Sequence, residues 1–290
     1  MKSRIFFFLS FMIFFNFSCS KNDDNSSEKK HVLKETSNTH KIEIHSNNRV
    51  ASLLMSSSEY NSWKQNKEFG YSETSKALFQ DIYKKFEDDF DFILLILNET
   101  EIPEGLPSGQ LFDIKNNVLG IGIDIYDSTE AFGSQEKLSA IMQLSKLNYL
   151  TSGPALHELM HNWANYALPT TNSAHWGFNG GSNRGQLGGF DQSTLVENGN
   201  NSYTVEYFGE FANGGNSIKY NDLELYLMGM IPLSSVNAFD NFSEITNSSY
   251  NDGKITFNSS LKKRHDPSSL EELLGKREPS NKNSQKDFNL

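Results

Sequence analysis

The chain has 290 residues and a formal net charge of −10 at pH 7, with 26 basic and 36 acidic residues. This acidic balance argues against nucleic acid or an anionic lipid surface as a partner, because both attract basic surfaces. The chain contains a single cysteine. A folded domain must therefore be held together by its core, or by a bound metal, rather than by disulfides.

The first residues are typical of an export signal. Lys2 and Arg4 form a short basic region, and residues 5–17 form an apolar stretch, which has the length of a signal-peptide core and is too short to span a bilayer comfortably. Cys19 follows directly. This arrangement resembles a bacterial lipoprotein signal, in which the cysteine becomes the lipidated first residue. The resemblance implies a signal peptide over 1–18 and an exported protein anchored to the cell envelope, at the outer membrane or cell surface. Ordinary secretion is the alternative.

The remaining chain is predicted to form a tether and one domain. Residues 19–40 are rich in polar side chains, which is typical of a flexible tether. Residues 41–290 have the length of a single domain, or of two lobes that share a cleft. The sequence becomes rich in glycine after Pro169, so we predict an N-lobe over about 41–168 and a C-lobe over about 169–290.

Hydrophobic periodicity predicts the secondary structure of both lobes. In the N-lobe we expect strands over 40–45, 92–97, 118–126 and 138–147 and a helix over 73–88, although 138–147 also fits a helix. The run 92–97 is continuously apolar, which favours a strand covered on both faces. His40 and His45 are expected at the surface. In the C-lobe we expect a strand over 203–208, a short helix and turn over 221–230, and a helix over 269–274.

Residues 157–161 read His-Glu-Leu-Met-His, an HExxH motif, and His175 follows the motif. Residues four apart share one face of a helix, so His157 and His161 can direct two imidazoles at one ion, with Glu158 beside them. Zinc accepts nitrogen ligands in a tetrahedron and in catalytic sites keeps the fourth position for water, whose pKa it lowers from about 15.7 to about 7. This spacing is the signature of zinc peptidases.

The surrounding sequence predicts that the motif lies on a partly buried helix. Pro154 is favoured at a first helical position, and Pro169 marks the end of the helix. An apolar stripe at helical spacing lies between the two prolines and consists of Leu156, Met160, Trp163 and Ala167. The alternative, an exposed helix with two ordinary histidines, does not explain this stripe.

The order of the predicted elements, followed by HExxH, resembles the N-terminal lobe of zincin-type metallopeptidases. The resemblance implies an α+β fold with a twisted mixed sheet, two packed helices of which the second carries the zinc ligands, and a smaller irregular C-terminal lobe. In zincins an exposed edge strand binds extended substrate by β-augmentation.

Zincins differ in their third zinc ligand. The metzincin pattern requires glycine at 164 and histidine at 167, where this chain has Ala164 and Ala167. Gluzincins take a glutamate from a later helix, for which Glu224 is the natural candidate. The other acidic candidates are Glu197, Glu206, Glu210 and Asp222. We favour His175, because histidine is a better zinc ligand than a carboxylate chosen from many and because His-Trp after HExxH resembles a group of secreted bacterial zincin-like proteins.

Two further features lie in the segment after the motif. Tyr226 is a candidate for supporting the oxyanion, a role that tyrosine or histidine plays in several zincins, and a half-buried core aromatic is the alternative. Residues 227–230 read Leu-Met-Gly-Met, which fits either a methionine turn beneath the metal or ordinary core packing.

The sequence thus predicts a cell-surface zinc metallopeptidase that acts on a peptide or protein. Zn²⁺ is bound by His157, His161 and His175, and Glu158 is the general base. The protein is expected to contact the membrane only through its N-terminal lipid and to bind no nucleic acid. One alternative is a lipid-anchored binding or adhesion module with a structural or vestigial metal. Another is a zinc hydrolase that acts on a non-peptide amide.

Overall fold

The computed structural model describes residues 4–7, 40–46, 49–66 and 70–290 and has a mixed α+β fold. Most of the predicted signal peptide and tether, with Cys19, lies outside these residues. Among the helices of the described part, none has the length and apolar character needed to cross a membrane.

The elements are numbered in chain order. The strands are β1 (Arg4–Phe7), β2 (Lys41–His45), β3 (Val50–Leu54), β4 (Phe92–Leu97), β5 (Gly109–Asp113), β6 (Lys115–Asn116), β7 (Tyr126–Asp127), β8 (Ala140–Leu144), β9 (Gly180–Gly181), β10 (Phe190–Asp191), β11 (Val196–Gly199), β12 (Ser202–Glu206), β13 (Phe239–Asn251) and β14 (Lys254–His265). The helices are α1 (Ser57–Asn66), α2 (Glu73–Tyr83), α3 (Tyr149–Ser152), α4 (Ala155–Ala164), α5 (Asp222–Leu227) and α6 (Pro267–Leu274).

The described chain forms two compact units. The first contains the described residues up to 107 together with 128–147 and 288–290, and the second contains 108–127 and 148–287. The HExxH helix α4 therefore belongs with the residues that follow it, whereas the sequence analysis placed it in an N-lobe that ends near residue 168. Each unit consists of several separate segments of the chain. A single boundary in the sequence therefore cannot describe the division.

The first unit contains a sheet in the order β2-β3-β1-β4-β8. Strands β4 and β8 are parallel, and the other pairs are antiparallel. All six residues of β4 are buried, as its continuous apolar sequence predicts. Strand β1 belongs to the predicted signal peptide, so cleavage of that signal would leave the sheet without it.

Helix α2 confirms the predicted apolar face, since Leu78, Ile82 and Phe86 are buried. The helix itself ends at Tyr83, before the end predicted from periodicity. The prediction that His40 lies at the surface is wrong, because its ring is buried between two carboxylates. Its Nδ1 lies 2.8 Å from Asp81 Oδ2 and its Nε2 2.7 Å from Glu59 Oε1. Such pairing offsets the cost of burying a polar ring.

The second unit contains an antiparallel sheet in the order β11-β12-β14-β13. Its apolar cluster consists of Phe190, Tyr203, Val205, Phe242, Ile255 and Phe257. The sequence analysis predicted an irregular C-terminal lobe. This prediction is wrong, because that part of the chain contains a four-stranded sheet. Strands β13 and β14 escaped prediction because Ser, Asn and Lys dominate much of their length and the distal residues of β13 are exposed.

The strand predicted over 118–126 is wrong, because most of this segment is a loop. Gly120 and Gly122 have φ of +74° and +80°, a left-handed conformation that interrupts the regular extended backbone of a strand. The Asn116 amide stabilises the loop by donating to the carbonyls of Val118 and Asp124 at 3.1 and 3.0 Å. Apolar residues that alternate with glycines thus produced the two-residue period that is typical of a strand.

Candidate metal centre

Helix α4 carries the HExxH motif as predicted. It begins at Ala155, directly after Pro154, and its apolar side buries Met160, Trp163 and Ala164. Beyond the helix, the indole of Trp176 is fully buried and donates to the carbonyl of Ala164 at 2.8 Å. This hydrogen bond holds the returning chain against the end of the helix, so the residue before Trp176 faces the motif.

His157, His161 and His175, which we call the histidine cluster, meet in the structure. Their ligand atoms lie within 4.8 Å of one another. The Nε2 atom of His157 lies 3.1 Å from Nε2 of His161 and 3.2 Å from Nε2 of His175. The three histidines are therefore close enough to bind one metal ion.

A tight turn delivers His175 to the cluster. The backbone N–H of Asn172 donates to the His175 carbonyl at 2.8 Å, and the N–H of His175 donates back at 3.0 Å. The two residues between them, Ser173 and Ala174, have φ of +49° and +63°, which is the geometry of a type I′ turn. Neither residue is glycine, so the turn holds backbone strain of the kind that collects at functional sites.

Each imidazole of the cluster has its Nδ1 against an oxygen atom. His157 Nδ1 lies 2.7 Å from the Gln186 carbonyl, His161 Nδ1 lies 2.6 Å from Asn165 Oδ1, and His175 Nδ1 lies 2.6 Å from the Ser173 carbonyl. These oxygens only accept, so each Nδ1 carries the proton. The three Nε2 lone pairs then converge without a proton between them, and such a set of nitrogen donors fits a metal ion such as zinc.

The electrostatics of the cluster favour neutral rings. Burial lowers the pKa of His157 to about 4 and that of His161 to about 3, and it also lowers the pKa of His175. All three imidazoles are therefore unprotonated at Nε2 at neutral pH. Metal binding requires this state, because a protonated nitrogen has no lone pair to offer.

Glu158 is buried beside the first histidine, with a relative exposure of 6%. Burial raises the pKa of its carboxyl to about 8. The carboxyl lies against Gly109, the first residue of β5. A Cβ atom placed on Gly109 would lie only 2.6 Å from Glu158 Oε1. The absence of a side chain at this position thus leaves the space in which the carboxyl sits.

The alternative third ligand, Glu224, has a different role in the structure. It is fully buried, and its Oε1 accepts from the Leu187 N–H at 3.0 Å while its Oε2 accepts from the Asn221 N–H at 2.9 Å. Glu224 therefore fixes the backbone next to Gln186, whose carbonyl orients His157. Among the described residues, the cluster includes neither Glu224 nor any of Glu197, Glu206, Glu210 and Asp222.

Tyr226 is buried, and burial raises its pKa, while Arg277 lowers the pKa and Glu271 raises it. Its role in supporting the oxyanion stays a prediction. The following Leu-Met-Gly-Met segment closes helix α5 through Gly229, whose φ is +81°.

Sequence reasoning missed three residues that contact the site, namely Gly109, Asn165 and Gln186. Asn165 could have been found from sequence, because it follows His161 at the same four-residue spacing that joins the two histidines of the motif. The other two lie far from the motif along the chain, and no local pattern marks them.

Comparisons with known proteins add no family assignment. No family model matches the chain, and no curated protein or solved structure matches it significantly. What the protein does must therefore be inferred from the residues of the site themselves.

Proposed function

We propose that this protein is a zincin-type zinc metallopeptidase, exported and anchored to the cell envelope by lipid at Cys19. His157, His161 and His175 would hold the zinc ion, and Glu158 would act as general base. The observation that carries this proposal is the convergence of three unprotonated Nε2 atoms, each oriented by an oxygen behind its Nδ1.

A bound zinc ion polarises a substrate carbonyl and makes water a stronger acid. Three nitrogen ligands leave the fourth position of a tetrahedral ion open, as in catalytic zinc sites. The chain contributes neutral imidazoles whose orientation is set before metal binds. A closed structural site would need a fourth protein ligand, and the described residues offer only the three histidines at this place.

Glu158 would take a proton from the attacking water and pass it to the leaving amine. A base works best when its pKa lies near the working pH, and burial moves the pKa of Glu158 in that direction. Gly109 is next to this carboxyl, so we assign to β5 the pairing with an extended peptide that the zincin resemblance implies.

The test is cleavage of a peptide library by the purified protein, followed by mass spectrometry. We expect cleavage that 1,10-phenanthroline abolishes, that added zinc restores and that a peptide hydroxamate inhibits. Zinc-loaded protein that cleaves no peptide, and that unfolds when stripped of metal, would overturn the proposal in favour of a structural metal in a binding module.

Gly109→Ala is expected to lower kcat by about tenfold or more while the bound zinc stays unchanged. The new methyl group would overlap the Glu158 carboxyl, and misplacement of a catalytic group by about 1 Å can cost on the order of 10²-fold. Steady-state kinetics and elemental analysis of the same preparation measure the two effects. An unchanged kcat in Gly109→Ala would contradict the placement of Glu158.

A further inference from the structure

One histidine of the cluster is oriented differently from the other two. The Nδ1 atoms of His157 and His175 donate to backbone carbonyls, whereas that of His161 donates to a side chain, Asn165 Oδ1, at 2.6 Å. A backbone carbonyl can only accept a hydrogen bond. An amide side chain can rotate by half a turn, which exchanges the positions of its oxygen and its nitrogen. The orientation of His161 therefore depends on what holds the Asn165 amide.

The Asn165 amide is held by a carboxyl group. Its Nδ2 donates to Asp113 Oδ2, on strand β5, at 3.3 Å. A carboxylate oxygen only accepts, so Nδ2 must face Asp113 and Oδ1 must face His161. If the amide turned over, its oxygen would face the Asp113 carboxylate and its N–H groups would face the ring, which would move the proton of His161 from Nδ1 to Nε2.

The surroundings restrict these groups further. Asn165 follows the last residue of α4 in helical conformation, with φ −55° and ψ −45°, and is 9% exposed. Burial raises the pKa of Asp113 to about 7, so above that pH the group is mainly the carboxylate that only accepts. Burying a carboxyl group is costly for a fold, and this one lies two side chains from the ring that it would orient.

We propose that Asp113 and Asn165 are positioning residues for His161. Asp113 fixes the direction of the Asn165 amide, whose oxygen keeps the proton on Nδ1 of His161 and leaves Nε2 free for the metal. Groups behind metal ligands set their tautomer in this way, and their loss typically weakens metal binding by about 10- to 100-fold. The inference rests on the proposed metal site but not on peptide cleavage.

The test uses two measurements on each variant of the purified protein. Competition with a chromophoric chelator gives zinc affinity, and ¹⁵N NMR of histidine-labelled, metal-free protein gives the tautomer of each ring. For Asn165→Ala we expect a loss of zinc affinity of about 10- to 100-fold. For Asp113→Ala we expect a loss of about tenfold and partial movement of the His161 proton to Nε2. His157 and His175 should keep their tautomers.

The double variant Asp113→Ala/Asn165→Asp separates orientation from packing. A carboxylate at 165 only accepts, so it needs no partner to fix its direction. We expect it to restore both the Nδ1 proton of His161 and most of the zinc affinity. If Asp113 merely filled space, Asp113→Ala alone would leave the His161 tautomer unchanged. Asn162→Ala, on the same helix, is the matched control and should match the wild type in both measurements.

Three results would overturn the proposal. The first is wild-type zinc affinity and a wild-type His161 tautomer in Asp113→Ala. The second is a loss in Asn162→Ala as large as that in Asn165→Ala, which would indicate general damage to the helix. The third is failure of the double variant to recover. A wild-type protein that binds no zinc would refute the proposed function, while the tautomers of the metal-free protein would still test the positioning.

Discussion

Glu158→Gln is expected to lower kcat/KM for peptide hydrolysis by about 10³-fold, a loss within the range for a general base. Glutamine has the shape of glutamate and still fits against Gly109, but it accepts no proton from water. Burial makes the charged carboxylate costly to the fold and so raises its pKa, which means that a neutral amide of the same shape should leave stability intact. Kinetics, elemental analysis and thermal unfolding measure the three quantities.

The matched control for this variant is Glu210→Gln. Glu210 is exposed, and it was one of the acidic candidates for the third zinc ligand. We expect its activity to stay within about twofold of the wild type, as for surface substitutions away from a site. Substantial hydrolysis by Glu158→Gln that still contains zinc would exclude Glu158 as the base.

His175→Ala is expected to weaken zinc binding by about 10²- to 10³-fold. Four-ligand zinc sites supply roughly 10–16 kcal/mol, so one ligand contributes roughly 2.5–4 kcal/mol. Competition with a chelator of known affinity measures the change. His45→Ala is the control, because His45 is a half-buried histidine that bonds Ser52 Oγ at 2.7 Å, away from the cluster.

Glu224→Gln distinguishes the two candidates for the third ligand. Glu224 accepts from two backbone N–H groups, and an amide nitrogen cannot replace both acceptors. We therefore expect a loss of stability of about 1–3 kcal/mol with zinc still bound at one ion per chain. Loss of zinc in Glu224→Gln, together with wild-type affinity in His175→Ala, would make Glu224 the ligand.

Local periodicity explains what the sequence could predict. Strand β4, helix α2 and the position of HExxH on a partly buried helix all follow from patterns within a few turns of chain. His175 could also be chosen from sequence, because it lies close enough to the motif for the chain to turn back. The structure adds the reason for that turn, which is the hydrogen bond from Trp176 to Ala164.

Tertiary packing determined what the sequence could not show. Asp113 reaches Asn165 across 52 residues of chain, and Gly109 matters because it lacks the atoms that would displace Glu158. Glu224 resembled a ligand in sequence because it is an acidic residue on a short helix. Its carboxyl instead accepts hydrogen bonds from two backbone N–H groups. The sequence pattern of a single segment does not predict such long-range contacts.

The most direct test of a three-histidine catalytic zinc site is a zinc titration of the metal-free protein that follows peptide cleavage. We expect the cleavage rate to rise in proportion to added zinc and to level off at one ion per chain. Glu158→Gln should take up the same zinc without gaining activity. Full occupancy by zinc without cleavage of any peptide in the library would contradict a peptidase function and leave the histidine cluster as a structural metal site.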